Sequence, residues 1–179
     1  FFLNRCNRSG IVRAGPIGGF EQRGPWTIGV RFPREELIRR IEKIAHAKDY
    51  IHISNQDAEN FLLSYVGDLP KKSTLVYCDP PYFTQGKRLY LNHYRPADHK
   101  RIARLIRKRL KHHWLVSYDN VPEVMENYAG CNYFTFNLQY NAGVVYQGTE
   151  VFFFSNKLKL PGDSNLPFIA SALSSYHAR

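Results

Sequence analysis

Apolar side chains recur along this chain with two different periods. In residues 33–47 and 96–113 they return every three or four positions and leave a basic face opposite, which predicts two amphipathic helices. Residues 57–66 predict a shorter helix. The segment that starts at Val121-Pro122-Glu123 predicts another, because proline is favoured in a first helical turn. The pattern therefore predicts four separate helices.

Between these helices the apolar residues are mostly β-branched or aromatic and occur in short runs. Residues 50–54, 74–78 and 114–118 each predict a strand, and residues 133–140 and 149–155 predict a closing antiparallel hairpin. Strands that alternate with helices are typical of an α/β fold with a mostly parallel sheet. In such a sheet the ligand crevice lies at the carboxyl ends of the strands.

The composition is typical of one soluble domain. The chain has 179 residues, 44% of them apolar, and a mean hydropathy of -0.42, so we expect one α/β core and no membrane span. Its three cysteines show no CxxC pairing, which indicates free thiols in a reducing cytoplasm. The chain begins at Phe1 without the pattern of a signal peptide, and we expect it to be truncated at its N-terminus.

Positive charge is concentrated in the first two thirds of the chain. The net charge is +10, and residues 1–56 hold 10 Lys/Arg against 5 Asp/Glu, residues 57–113 hold 12 against 5, and residues 114–179 hold 3 against 5. Such a field attracts polyanions and suits phosphate contacts that weaken with salt. Nucleic acid is therefore the expected partner, although basic charge alone also fits a soluble protein with no such ligand.

The most specific chemical signal is Asp79-Pro80-Pro81-Tyr82, directly after the predicted strand at residues 74–78. Proline has no N–H group, and the carbonyl groups beside the two prolines stay free to accept hydrogen bonds. The Asp79 carboxylate and the Pro80 carbonyl can together hold both hydrogens of an exocyclic amino group, while Tyr82 stacks on the base. We interpret the tetrapeptide as an amino-methylation site. The alternative is that Asp-Pro-Pro only forms a turn after a strand.

Further polar residues follow the ends of other predicted strands. Asp57 lies three residues beyond one strand, and Asp119 and Asn120 follow the strand at 114–118. We therefore predict that these residues and Asp79 converge on one rim of the sheet. Asp57 also fits a simpler role as the N-cap of the helix that follows it, and the sequence leaves both roles open.

Taken together, the ordered motifs resemble those of the Dam-like, D12-class adenine-specific DNA methyltransferases. Residues 79–82 are similar to the family's catalytic tetrapeptide, and the resemblance runs from about residue 3 to residue 156. The other segments that carry it are, in chain order, Leu3-Asn4-Arg5, Ser9-Gly10-Ile11, Gly15-Pro16-Ile17-Gly18-Gly19, residues 26–37, Asp57, Gly86-Lys87-Arg88-Leu89-Tyr90, Asn92-His93-Tyr94, Val116-Ser117-Tyr118-Asp119-Asn120, Asn141-Ala142-Gly143 and Gly148-Thr149-Glu150-Val151.

This resemblance implies a Rossmann-like methyltransferase sheet, S-adenosylmethionine as methyl donor and double-stranded DNA as partner. Residues 1–48 are then expected to form a DNA-recognition segment, residues 49–160 the catalytic half of the methyltransferase domain, and residues 161–179 a C-terminal tail. Asp57 and Asp79 are expected to contact the cofactor, and the tetrapeptide at residues 79–82 is expected to be catalytic. The resemblance implies neither a membrane nor an obligate protein partner.

Basic and amide side chains in two loop segments are the candidates for DNA contact. Bidentate contacts from Arg or Asn to base edges supply discrimination of about 1–3 kcal/mol each. Each candidate also fits a solvated loop residue. The candidates are Asn4, Arg5, Asn7, Arg8, Arg13, Lys87, Arg88, Tyr90, Asn92 and His93.

No metal site is expected from the histidines. Neither His93 with His99 nor the adjacent pair His112-His113 has the spacing of a closed zinc site.

One feature of the family finds no counterpart in the sequence. It is an aromatic-x-Gly-x-Gly loop that receives the methionine part of the cofactor, and residues 15–19 do not replace it because no strand precedes them. We therefore expect the first strand of the sheet to be absent too. Three functions stay open: a bacterial, archaeal or phage DNA adenine-N6 methyltransferase, a catalytically inactive truncated DNA-binding remnant, and a methyltransferase of RNA adenine or protein glutamine.

Overall fold

Two compact units make up the described part of the chain. The computed structural model describes residues 1–84, 86, 93–140 and 146–158. The first unit covers Phe1–Asn55, and the second begins at Gln56. The functional division after residue 48 stays a prediction, and the predicted tail at residues 161–179 lies outside the described residues.

The first unit consists of short helices joined by tight turns. It contains helix α1 (Phe2–Cys6), helix α2 (Arg34–His46) and 3₁₀ turns at Arg8–Gly10, Ile28–Arg31 and Lys48–Tyr50. The helix predicted at residues 33–47 is thus confirmed, with its ends shifted by one residue.

The turns of the first unit depend on one glutamine and one close backbone approach. Gln22 donates to the Ile17 carbonyl at 2.8 Å and accepts a hydrogen bond from the Ile28 N–H at 2.8 Å. Gly18 has φ of +84°, and an added Cβ there would lie 2.5 Å from the Trp26 carbonyl oxygen. Only glycine fits such a position without displacing the backbone.

The apolar face of α2 is only partly covered. Leu37 is buried, whereas Ile41 and Ile44 are 51% and 61% exposed. The helical period therefore predicted the helix correctly but not the burial of its face.

The predicted strand at residues 50–54 is wrong. This part of the chain follows the Lys48–Tyr50 turn as irregular backbone, and Ile53 is 91% exposed. Alternation supplies β propensity, but a strand also needs a neighbour for its backbone groups. None of the described strands pairs with these residues.

A four-stranded mixed sheet forms the centre of the second unit. Its strands are β1 (Leu75–Cys78), β2 (His113–Asp119), β3 (Asn132–Tyr140) and β4 (Tyr146–Phe154), in the order β1-β2-β4-β3. β1 and β2 are parallel, and the other two pairings are antiparallel. The α/β class and the closing hairpin are confirmed. The described sheet is mixed rather than mostly parallel, because the hairpin places β4 beside β2.

Within the described residues, four helices of defined bounds accompany this sheet. They are α3 (Ala58–Leu63), α4 (Tyr65–Asp68), α5 (Pro96–Lys108) and α6 (Pro122–Asn127). The helix predicted at residues 57–66 is divided at Ser64. The one predicted at residues 96–113 ends earlier, because the chain must turn back into β2. Among the described residues, no helix is long and apolar enough to cross a membrane.

The core of the second unit lies between α5 and the sheet. Ile106 of α5, Val116 of β2 and Val151 of β4 are fully buried, and the rings of Tyr128 and Phe153 stack at 4.5 Å. Burying a large apolar side chain stabilises the folded state by about 1.5–3 kcal/mol. This packing fixes the carboxyl ends of β1 and β2, where the candidate site lies.

Candidate active site

The register of the parallel strands β1 and β2 brings Asp79 beside Ser117. Cys78 pairs with Val116 in the β1–β2 register, so the next residues of both strands are neighbours. The Ser117 hydroxyl donates to Asp79 Oδ1 at 2.7 Å. Since this uses the only hydroxyl hydrogen of Ser117, the Tyr77 hydroxyl, 2.8 Å away, donates to Ser117 Oγ. One carboxylate oxygen of Asp79 is thus held in place.

Asp119 holds the loop that follows the tetrapeptide. Its Oδ1 accepts a hydrogen bond from the Phe83 N–H at 2.8 Å, and its Oδ2 accepts one from the Thr84 N–H at 2.9 Å. The Tyr82 hydroxyl donates to the carboxylate of Glu150, a buried residue on β4. Three acidic or hydroxyl groups from β2 and β4 therefore fix the backbone and side chains of residues 79–84.

An aromatic cluster with a histidine at its centre packs against Phe83. The ring of His99, on the first turn of α5, lies 5.0 Å from the Phe83 ring and 5.3 Å from the Tyr94 ring. His99 Nδ1 is 2.9 Å from the Tyr118 hydroxyl. Burial lowers the pKa of His99, while the carboxylate of Asp119 acts in the opposite direction. The ring is therefore stabilised in its neutral form.

An apolar cavity of about 270 Å³ adjoins the tetrapeptide. Side chains of α3, the tetrapeptide and the segment before α5 line it, with aliphatic residues of β1 and α5 behind them. Burial raises the pKa of the neighbouring Cys78 thiol to about 11, so this cysteine stays neutral and is no nucleophile at physiological pH. The lining residues relevant to a ligand are Ala58, Phe61, Asp79, Pro80, Pro81 and Tyr94.

Asp57 lies near this cavity as the N-cap of α3. Its Oδ1 accepts hydrogen bonds from the Glu59 N–H at 2.9 Å and the Asn60 N–H at 3.3 Å. The pKa of Tyr94 is raised by burial and then by the charge of Asp57, so the two side chains are close enough to interact. The capping role is observed, and cofactor contact by Asp57 stays a prediction.

A family model decides how this site is to be understood. The model of the D12 class N6 adenine-specific DNA methyltransferase matches residues 1–142. The chain belongs to this family. A sequence comparison with curated proteins gives no match. The family match ends before β4, so Glu150, the partner of Tyr82, lies outside it.

Two of the DNA contacts predicted in the first unit take part in local structure. Arg5 Nε donates to the Arg31 carbonyl at 2.8 Å, and Arg8 Nε donates to the Ala14 carbonyl at 2.9 Å. A guanidinium group has further donors, so both residues can also contact DNA.

The amide and remaining basic candidates differ in accessibility. Asn4 and Arg13 are exposed, whereas Asn7 is buried. Asn7 donates to the Ile11 and Val12 carbonyls at 3.2 and 2.7 Å, so its amide stabilises the fold of the first unit. The role of Asn4 and Arg13 in DNA contact stays a prediction.

The predicted contacts in the loop after the tetrapeptide fall largely on residues that are not described. Lys87, Arg88, Tyr90 and Asn92 lie outside the described residues, and His93 is exposed. Within the described part of the chain, no group of three or more His, Cys, Asp or Glu side chains is arranged to hold a metal ion.

Sequence reasoning missed three side chains of the candidate site. Ser117, His99 and Glu150 were present in the motifs or the helix, but the sequence assigned them no role at the tetrapeptide. The parallel register of β1 and β2 is the signal that could have placed Ser117, because equivalent positions of adjacent parallel strands are neighbours. No comparable local signal exists for Glu150, which lies 68 residues from Tyr82.

Proposed function

We propose that this chain transfers a methyl group from S-adenosylmethionine to the N6 amino group of a flipped-out adenine in double-stranded DNA. The single observation that carries the proposal is the fixed position of Asp79. Its carboxylate is exposed at the end of β1, and one oxygen accepts the Ser117 hydroxyl. The family match supports the same reaction.

The cavity beside the tetrapeptide fits part of the cofactor. Its volume of about 270 Å³ lies just below the range of about 300–1,000 Å³ that is usual for sites of small molecules. Its apolar walls, with Phe61 and Pro80 among them, suit a planar heteroaromatic ring such as adenine. Asp57 and Asp79 would hold the polar groups of the cofactor at the edge of this cavity. When bound, S-adenosylmethionine supplies an electrophilic methyl group.

The target base must leave the duplex before it can reach this site. Flipping costs a few kcal/mol in lost pairing and stacking. Tyr82 can offset part of that cost, because stacking of a base on an aromatic ring contributes about 1–3 kcal/mol. The hydrogen bond from the Tyr82 hydroxyl to Glu150 holds the ring in one orientation before the base arrives.

Asp79 and Pro80 would then orient the amino group. The adenine amine is a weak nucleophile, because its lone pair is delocalised into the ring. With one oxygen of Asp79 held by Ser117, the other can accept one amino hydrogen, and the Pro80 carbonyl can accept the second. These acceptors place negative potential where positive charge develops on nitrogen, as in other preorganised sites. The proton can leave after methyl transfer, so no strong general base is required.

The direct test is a methylation assay with the full chain. Labelled S-adenosylmethionine and unmethylated double-stranded DNA are incubated with the wild type, Asp79→Ala and Asp68→Ala, and the nucleosides are analysed for N6-methyladenine. Asp68 is the matched control, since it is an exposed aspartate on α4. We expect a loss of at least about 100-fold in Asp79→Ala, by analogy with other preorganised electrostatic groups. Asp68→Ala should resemble the wild type.

DNA binding separates the outcomes of this assay. Asp79→Ala should keep its salt-dependent DNA affinity, because this carboxylate does not contact phosphate. Methylation retained by Asp79→Ala would contradict the mechanism. A wild type that binds DNA without transferring a methyl group would instead be a catalytically inactive DNA-binding protein. Product in RNA or on protein glutamine, with none in DNA, would reassign the substrate.

A further inference from the structure

A strongly basic surface lies at the end of the sheet opposite to the tetrapeptide. Two cavities of about 380 and 200 Å³ occur there, and they share a wall formed by Leu110, Lys111 and His112. Six cationic side chains line the pair: Lys71, Arg107, Lys108, Arg109, Lys111 and Lys157. No Asp or Glu is among the lining residues of either cavity.

The charges on this basic surface are not neutralised within the described residues. None of the six cations forms an ion pair with a carboxylate there, whereas Arg39, Arg40 and Arg101 elsewhere in the chain do. Positive charges that are left uncompensated raise the local concentration of a polyanion. The basic surface is therefore better suited to an external anion than to internal ion pairs.

Two of these cations are held in fixed positions by backbone carbonyls. Arg107 donates to the Asn127 carbonyl at 2.7 Å and to the Ala129 carbonyl at 2.6 Å. Lys157 Nζ donates to the Lys111 carbonyl at 2.8 Å. Side chains that are already ordered lose less conformational entropy when a ligand binds. This order favours a specific anion site over a diffuse basic face.

A buried histidine in the shared wall has one ring nitrogen without a hydrogen-bond partner among the described residues. His112 is 2% exposed, and its Nε2 donates to the Leu69 carbonyl at 3.1 Å. Its Nδ1 has no hydrogen-bond partner among the described residues. Buried polar atoms without a partner are rare and call for an explanation.

The geometry points to a second DNA contact, in which consecutive phosphates of the backbone occupy these two cavities. Taking DNA as the polyanion rests on the proposed function, whereas the anion chemistry rests on the cavities themselves. β2 runs from one end of the sheet to the other. At ~3.3 Å per residue, it separates the basic surface from the tetrapeptide by about 20 Å. The contact involves phosphate only, so it holds DNA without reading its sequence.

Trp114 provides a local reporter for this site. It lines the larger cavity and is 6% exposed, and Trp26, the other tryptophan of the chain, is 66% exposed in the first unit. In a Trp26→Phe background the fluorescence of Trp114 is titrated with inorganic phosphate and, separately, with a short DNA duplex. We expect both titrations to be saturable, with the duplex acting at the lower concentration.

A matched pair of double variants tests the cations directly. Lys108→Gln/Lys111→Gln removes two charges from the basic surface, and Lys100→Gln/Arg104→Gln removes two from exposed positions of α5 that line neither cavity. The first double variant should lose the Trp114 response, and the slope of log affinity against log salt should fall by about 1–2. The second should keep both. Lys108→Gln alone serves the same test if the double variant does not fold.

The outcomes separate the sources of the phosphate. A response to duplex DNA that only the first double variant loses supports the proposal. A response to inorganic phosphate with none to duplex would assign the site to a free phosphate and overturn the DNA contact. No response to either, or equal losses in both double variants, would overturn the site altogether. None of these measurements depends on methyl transfer, so they can fail or succeed independently of the proposed activity.

Discussion

The two ends of the parallel pair β1–β2 differ in the charge of the side chains that lie there. At the carboxyl end, Asp79, Asp119 and Ser117 form hydrogen bonds among themselves and with the loop after β1. At the amino end, cationic side chains line two cavities and none of them meets a carboxylate within the described residues. The first arrangement uses its polar groups internally to fix geometry. The second leaves its charge available to a ligand.

The buried histidines at the two ends also differ in their hydrogen-bond partners. His99, at the carboxyl end, packs among aromatic rings and has Tyr118 as its Nδ1 partner. His112, at the amino end, has a carbonyl partner for Nε2 and none among the described residues for Nδ1. The buried histidine of the carboxyl end thus has its Nδ1 partner within the fold. The amino end keeps a buried ring nitrogen without a partner among the described residues.

If the carboxyl end acts by fixing the loop after β1, removal of Asp119 should have the largest effect among the residues that position this loop and Asp79. Asp119→Ala deletes the acceptors of the Phe83 and Thr84 N–H groups. Hydrogen bonds to charged groups contribute about 1.5–3 kcal/mol each, so the loss of both predicts a fall of at least about 100-fold in the rate of methyl transfer. Asp119→Asn keeps one acceptor and should fall between this variant and the wild type in single-turnover assays.

DNA affinity is the control for this prediction. The Trp114 response to duplex should persist in Asp119→Ala, because the basic surface lies at the other end of β2. A variant that transfers methyl groups within about threefold of the wild-type rate, a change of less than 1 kcal/mol, would show that the loop does not need this anchor.

A smaller loss is expected when only the Asp79 carboxylate is released. Ser117→Ala removes its hydroxyl donor, and we expect the rate of transfer to fall about 10-fold while DNA affinity is unchanged. Tyr77→Phe is the matched control, since Tyr77 donates to Ser117 and not to Asp79. Its rate should fall less than that of Ser117→Ala.

Rescue distinguishes positioning of Asp79 from general damage. Ser117→Thr retains the hydroxyl and should recover most of the activity, with the change appearing in kcat rather than KM. Equal losses in the alanine and threonine variants would indicate that the buried position responds to side-chain shape instead.

The smallest effect is expected from the protonation of His99. Burial lowers its pKa below the ordinary value of about 6.5, so the unfolded chain binds more protons than the folded one as the pH falls through that region. The free energy of unfolding should therefore decrease as the pH falls from about 7.5 to about 5, the range in which histidine titrates. Melting curves of the wild type and His99→Gln test this, and the variant should show the weaker pH dependence. Identical pH dependences would mean that His99 does not couple folding to protonation.

The linear sequence determined most of the helices and strands and singled out the tetrapeptide at residues 79–82. The periods of apolar residues located α2, α5 and the closing hairpin, because side-chain spacing within a helix or strand is a local property of the chain. The order of Asp79, Pro80, Pro81 and Tyr82 after a strand likewise needed no tertiary information. It follows from the donors and acceptors that these residue types carry.

Only the tertiary structure decided which distant groups meet and which propensities are realised. Ser117 reaches Asp79 through the β1–β2 register, and Glu150 reaches Tyr82 because the hairpin places β4 beside β2. The segment at residues 50–54 has the strand pattern but no described partner, and it forms no strand. The physical reason is that local pattern sets propensity, whereas pairing and register depend on packing between segments far apart in the chain.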